Sequence, residues 1–186
     1  MVRRIVFTSL CAVLLAVPAS AAAKTVHGCK IKPHTQCAGK KLDGAKLNRS
    51  NLKGANFRKA HLNRVQLRSS NLKGANFNKA ELYSSDLRDS NMQEADFAYA
   101  NVTYISASNA TFRYSRLYKA DLYKADLFKA DLRDTDMRYA KMGDANLNGA
   151  DFENANLQHA NFCGANVTNA NFANADLRYA TCAPQH

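Results

Sequence analysis

The sequence has no tryptophan, only 3 prolines and 8 glycines, and few large aliphatic side chains. Leu, Ile, Val and Phe together number 38 of 186 residues, near the share of about one fifth below which chains tend to stay unfolded. A broad conventional core is therefore excluded. Acidic residues are the minority, 15 Asp and Glu against 26 Lys and Arg, a net charge of +11. No Gly-rich phosphate-binding loop is present. The five histidines, His27, His34, His61, His159 and His186, do not pair at helical spacing, so no catalytic or metal cluster is expected.

One apolar run exists, Ile5 to Val17, preceded by Arg3 and Arg4 and followed by Pro18-Ala-Ser-Ala-Ala-Ala23-Lys24. This is the form of a secretory signal. Residues 1–23 are expected to be a signal peptide cleaved after Ala23, with Ala21 as the alternative. The run is shorter than the roughly 20 residues of a spanning helix, so no membrane span is expected after cleavage. The mature chain is expected to be exported to the periplasm, the cell exterior or, in an organelle-bearing source, a lumen. It keeps Cys29, Cys37, Cys163 and Cys182, an even count that invites two disulfides. Cys29 and Cys37 frame a short segment and form the first expected pair.

A period of five residues runs through the rest. Of the 29 positions taken every fifth residue from Leu42 to Cys182, fifteen are Leu, seven Phe, three Met and two Val. Two residues before each, from Lys40 to Ala180, stand twenty Ala, five Ser and one Thr. The residue between is Asn or Asp at nineteen positions. A helix would scatter this series around all its sides, and a straight strand would send alternate members to opposite faces. A chain that turns a corner every five residues keeps the Leu/Phe and Ala positions inward. The segment Ser50-Asn-Leu-Lys-Gly-Ala-Asn-Phe57 recurs at Ser70 to Phe77, and Phe97 continues the spacing. Four units per coil follow. At Ile105-Ser106-Ala107 the small and large positions exchange sizes, which nearly keeps the filled volume.

The unit Ala-(Asn/Asp)-(Leu/Phe)-x-x resembles that of the pentapeptide-repeat family, over about Cys37 to Ala180. The resemblance implies an all-β fold: a right-handed quadrilateral parallel β-helix of about seven coils across residues 37–182. Residues 24–36 would form an N-terminal cap segment and 183–186 a C-terminal tail. Some members are acidic rods that mimic DNA and protect or inhibit gyrase. A basic chain with an export signal departs from that role on both counts. Cys182 falls in the core register above Phe162 and Cys163 one residue outward. Their strands would be neighbours, but strictly alternating side chains would point apart, so Cys163–Cys182 is left open as a second pair.

Sorting the outward residues by face singles out the one under Phe57, Phe77 and Phe97. It carries Arg58, Lys59, Lys79, Arg116, Lys119, Arg138 and Arg178 against three Asp. Its column two residues after the core position reads Lys59, Lys79, Tyr99, Lys119, Tyr139, His159, Tyr179, with Tyr118 one residue over. Two readings follow. The first is a non-enzymatic exported scaffold, without cofactor or metal, that contacts a protein or a cell-envelope component and could pair end to end with a second copy. The alternative is a module for an anionic polymer such as nucleic acid, lipopolysaccharide or an acidic glycan. Lys and Arg would meet the charges and Tyr would stack on rings or bases.

Overall fold

Most five-residue units are closed by a turn in which the small inward residue donates its amide to the preceding large one. Ala55 N donates to Leu52 O at 3.0 Å and Ala80 N to Phe77 O at 2.9 Å. The computed structural model describes residues 24–183; residues 1–23, expected to be a signal peptide, and residues 184–186 lie outside them. At every fifth residue from His34 to Tyr179 φ is positive, the third position of a type II turn. Most of these residues carry side chains, an uncommon placement, and glycine is required at few of them. Gly54 is one, because a Cβ there would run into the His34 ring of the preceding coil.

The Asn/Asp preference has a local cause. The side chain before the core residue accepts the amide of the residue after it, as Asn56 Oδ1 does from Arg58 N at 3.1 Å and Asp96 Oδ1 from Ala98 N at 2.9 Å. Short acceptor side chains hold such turns.

Coils are joined in parallel by single bridges, each linking residues twenty apart, from Gln36↔Asn56 through to Asn161↔Thr181. The architecture is a β-helix with four turns per coil. Its sheets are ladders one bridge wide: Phe57 N donates to Asn76 O at 2.7 Å, and Asn76 N to Ala55 O at 2.8 Å. The longer strands are β1 (Thr25–Val26) and β2 (Cys29–Lys30), an antiparallel hairpin at the N-terminal end. Lys24 Nζ and His27 Nδ1 donate to the open carbonyls of Lys46 and Lys41 in the first coil. Val26 and Ile31 pack on the core.

Inside, like stacks on like. Phe57, Phe77 and Phe97 form one column with centroids 5.2 and 4.6 Å apart and planes within 15°. Ile105 and Ala107 are both buried and Ser106 keeps its bridges to Asp86 and Asp126, so the size exchange is absorbed by packing. Burial weakens in the last coil, where Val167 and Leu177 are only partly covered.

Cys29 and Cys37 are buried and disulfide-bonded, with Cα atoms 5.5 Å apart. Cys163 and Cys182 are bonded as well, 4.9 Å between Cα atoms. The expected core placement of Cys182 is corrected: its φ of 52° turns the side chain out of register, and it sits exposed beside Cys163.

Candidate anionic-ligand ridge

The column Lys59, Lys79, Tyr99, Lys119, Tyr139, His159, Tyr179 coincides with the positive-φ turn residues. It therefore forms a ridge along a corner of the rod, where the sequence reading placed it on a flat side. Stacking at one coil per step brings these side chains into contact. Lys79 lies 5.7 Å from the Tyr99 ring. Tyr99 meets Tyr118, and Tyr118 meets Tyr139, edge to face at 5.5 and 5.7 Å. His159 is sandwiched between Tyr139 and Tyr179 at 4.6 and 4.9 Å, nearly parallel to both. Lys119 sits 5.4 Å from both Tyr118 and Tyr139.

The arginines are differently disposed. Arg138 and Arg178 grip Asp136 and Asp176, two residues back across the core position, at 2.8 and 2.7 Å. Arg116 lies 3.9 Å from Asp96, and Arg116 and Arg138 also approach the Tyr118 ring. Hydrogen bonds from Arg178 and then Gln158 hold the Asp176 carboxyl well below the ordinary carboxylate range. Burial pushes Asp136 up, yet the hydrogen bonds and charge of Arg138 outweigh it and leave the carboxyl lowered. These arginines are internally neutralised. Arg58, Lys59, Lys79 and Lys119 make no ion pair among the described residues, so the ridge's available charge rests mainly on lysine.

The expected stacking of tyrosine on ligand bases is also revised. Ring faces within the ridge are occupied by neighbouring rings or by cations, with the outer face of Tyr179 open at its end, and elsewhere a ligand arriving from solvent meets ring edges, hydroxyls and ammonium groups.

A second ridge was missed. Tyr83, Tyr104 and Tyr123 stack edge to face at 5.5 and 6.0 Å, and Lys124 approaches the last two rings. A hydrogen bond with Tyr123, followed by the charges of Tyr104 and Tyr123, raises Lys124 above its ordinary value. In chain order the corner 118–119 precedes Asp121 and the corner 123–124 follows it, so the two ridges flank one side of the rod. Its central column runs Asn101, Asp121, Lys141, Asn161. An open groove of about 540 Å³ lies between the first ridge and this column, lined by Tyr99, Lys119, Tyr139, Lys141, His159 and Asn161, with no residue of the second ridge among them. Sorting by side had hidden this, because that side carries balanced charge; grouping the two residues of each corner would have exposed it. Among the described residues no cluster of three or more His, Cys, Asp or Glu is placed to hold a metal.

Comparison with known proteins agrees with this architecture. A family model described as pentapeptide repeat region matches residues 105–182, and one described as pentapeptide repeats (8 copies) matches 37–74 and 50–89. The chain belongs to the pentapeptide-repeat family. Among solved structures it is similar to QnrB1, a plasmid-mediated fluoroquinolone resistance protein. Identity is 22% over 80% of this chain and 78% of that one, with a TM-score of 0.58, a likeness of fold. HetL, involved in heterocyst differentiation regulation in the cyanobacterium Nostoc sp., is 25% identical over 80% of this chain and 72% of that one, TM-score 0.46. A pentapeptide repeat protein from the thylakoid lumen of Arabidopsis thaliana is 28% identical over 55% and 69%, TM-score 0.45. No curated protein matches.

Proposed function

We propose that this chain is a non-enzymatic repeat scaffold: a right-handed, four-sided rod of about seven coils, exported after loss of residues 1–23, that contacts a protein or a cell-envelope component. The reading is carried by the continuous ladder of bridges from Gln36 to Thr181, which holds outward side chains in fixed columns at about 4.8 Å per coil. Rigid columns suit a surface for recognition. The test is to sequence the N-terminus of the protein recovered from the envelope fraction and to cross-link it there. A start at Lys24 and a discrete cross-linked species support the reading; retention of residues 1–23 defeats it.

The unpaired lysines of the ridge favour a second reading, binding of an anionic polymer. Affinity would fall steeply with salt, because each neutralised charge releases counterions. Reversing Lys59, Lys79 and Lys119 to Glu is expected to abolish it, since all three are exposed. The control reverses Lys46, Lys53 and Lys129, exposed on other parts of the rod. Equal losses from both triples would mean diffuse attraction and sink this reading.

A further inference from the structure

We propose that the side of the rod between the two tyrosine–lysine ridges is a trough for an acidic polysaccharide lying along the rod axis. The inference rests on the anionic-polymer reading and names its ligand and its location.

Three observations carry it. First, both corners carry tyrosine and lysine: Tyr99, Lys119, Tyr139 and His159 on one, Tyr104, Tyr123 and Lys124 with Asp144 on the next, and Asn101, Asp121, Lys141 and Asn161 run between them as the floor; the groove itself is lined by the first corner together with Lys141 and Asn161. The floor offers amide donors and acceptors and the walls offer phenol hydroxyls and ammoniums, the complement of a chain carrying many hydroxyls and periodic carboxylates or sulfates. Second, charge is divided between positions. Arginines nearby are tied to Asp136 and Asp176, whereas Lys119 and Lys124 make no ion pair among the described residues. Lys141 reaches Asp121 only at 3.8 Å, with most of its side chain exposed.

Third, the rings within the ridge are closed to bases, and only Tyr179 at its end, 74% exposed, keeps an open outer face among the described residues of the column. Nucleobases are held by stacking on a free aromatic face. Here Tyr139, His159 and Tyr179 already stack on one another at 4.6 and 4.9 Å, leaving no gap for a base. Lys119, Arg116 and Arg138 approach the Tyr118 ring. What remains outward is a comb of polar ring edges. From Lys79 to Tyr179 it extends five coils, about 24 Å at ~4.8 Å each, long enough for several sugar units. A saccharide chain needs hydrogen bonds and charge contacts spread along it, and the ridge supplies one set per coil.

The deciding experiment measures binding of the full chain, with both disulfides formed, to three probes at low salt: polygalacturonate, neutral dextran, and oligothymidylate of matched charge. It is repeated with the pair Tyr99→Phe and Tyr139→Phe, which keeps every ring and removes two hydroxyls. Neither hydroxyl is held by a protein hydrogen bond among the described residues. The expected result is binding of polygalacturonate in preference to the other two, weakened roughly tenfold by the Phe pair. Oligothymidylate bound as well as polygalacturonate, with no effect of the Phe pair, overturns the polysaccharide inference and leaves the anionic-polymer reading standing. Polygalacturonate bound without any effect of the Phe pair overturns the trough as its site. Dextran bound equally well removes the role of charge. Binding of neither polyanion overturns both the inference and the reading on which it rests.

Discussion

The side chain of Asn63 accepts the backbone amide of Tyr83, twenty residues later, at 3.0 Å. In most units that amide is satisfied within its own unit by the Asn or Asp before the core residue, as in Asn76 with Asn78. In the Tyr83 unit that place is taken by Glu81, whose carboxylate instead meets His61, and the coil below supplies the acceptor. The same exchange occurs where Asp43 accepts from Asn63 N and Asn48 from Arg68 N, in units whose preceding residue is His61 or Gln66. The rod has two interchangeable ways of holding one turn.

Asn63→Ala should therefore destabilise the protein by about 1 kcal/mol, the net value of one such hydrogen bond. In a Glu81→Asn background, where the unit can hold its own turn, the same substitution should be nearly neutral. Thermal melts of the four proteins check this. Equal losses in both backgrounds would rule out the exchange.

Corner hydroxyls give a second comparison. Ser90 is buried and donates to Leu67 O at 2.7 Å, and Ser85 to Leu62 O at 2.7 Å. Ser115 is equally buried, but its hydroxyl has no hydrogen-bond partner among the described residues. Ser90→Ala should cost about 1 kcal/mol, while Ser115→Ala should be neutral or stabilising, since an unsatisfied buried hydroxyl is a penalty removed. Urea unfolding of both variants decides it.

Stability should depend on acid through Asp86, Asp131, Asp136 and Asp176. Each is gripped by the arginine two residues on, at 2.6 to 2.8 Å, and each has its carboxyl lowered. A folded value below the unfolded one of about 3.9 means the contribution is full above that value. It is lost as pH falls through the lowered folded values. Melting temperature should thus drop on acidification below about pH 4. Replacing all four by Asn should lower it at neutral pH and flatten the acid limb. An unchanged acid limb in that variant would contradict the assignment.

The two disulfides should separate on reduction. Cys163 and Cys182 are exposed, whereas Cys29 and Cys37 are 1% and 0% accessible, and exchange requires access to sulfur. Mild reductant followed by alkylation should label Cys163 and Cys182 first. Labelling of Cys29 and Cys37 at the same rate would contradict the burial of the N-terminal pair.

Much of the fold is legible because the same information is written in every unit. An inward series from Leu42 onward excludes helix and straight strand by period alone, and the repeated Ser50–Phe57 segment exposes the twenty-residue coil. Legibility fails where a residue departs from its register through backbone dihedrals. Cys182 has the spacing of a core residue but a left-handed φ. Lys59 and Tyr99 have the spacing of a flat face yet stand on a corner. The candidate ridge was readable as a column, but its internal pairing was not. Asp136 and Arg138 lie on either side of a core residue and share the outward face, and their pairing at 2.8 Å is a choice the repeat pattern leaves open. Tyr104 and Tyr123 occupy different columns and come together only through a shared corner.

The most direct measurement is a titration of the full chain, its lysines reductively methylated with carbon-13 so that charge is kept, with polygalacturonate followed by NMR. The account predicts the largest shifts at Lys59, Lys79, Lys119, Lys124 and Lys141, with Lys46, Lys53 and Lys129 silent. Uniform shifts across the lysines, or shifts strongest at Lys46, Lys53 and Lys129, would contradict it.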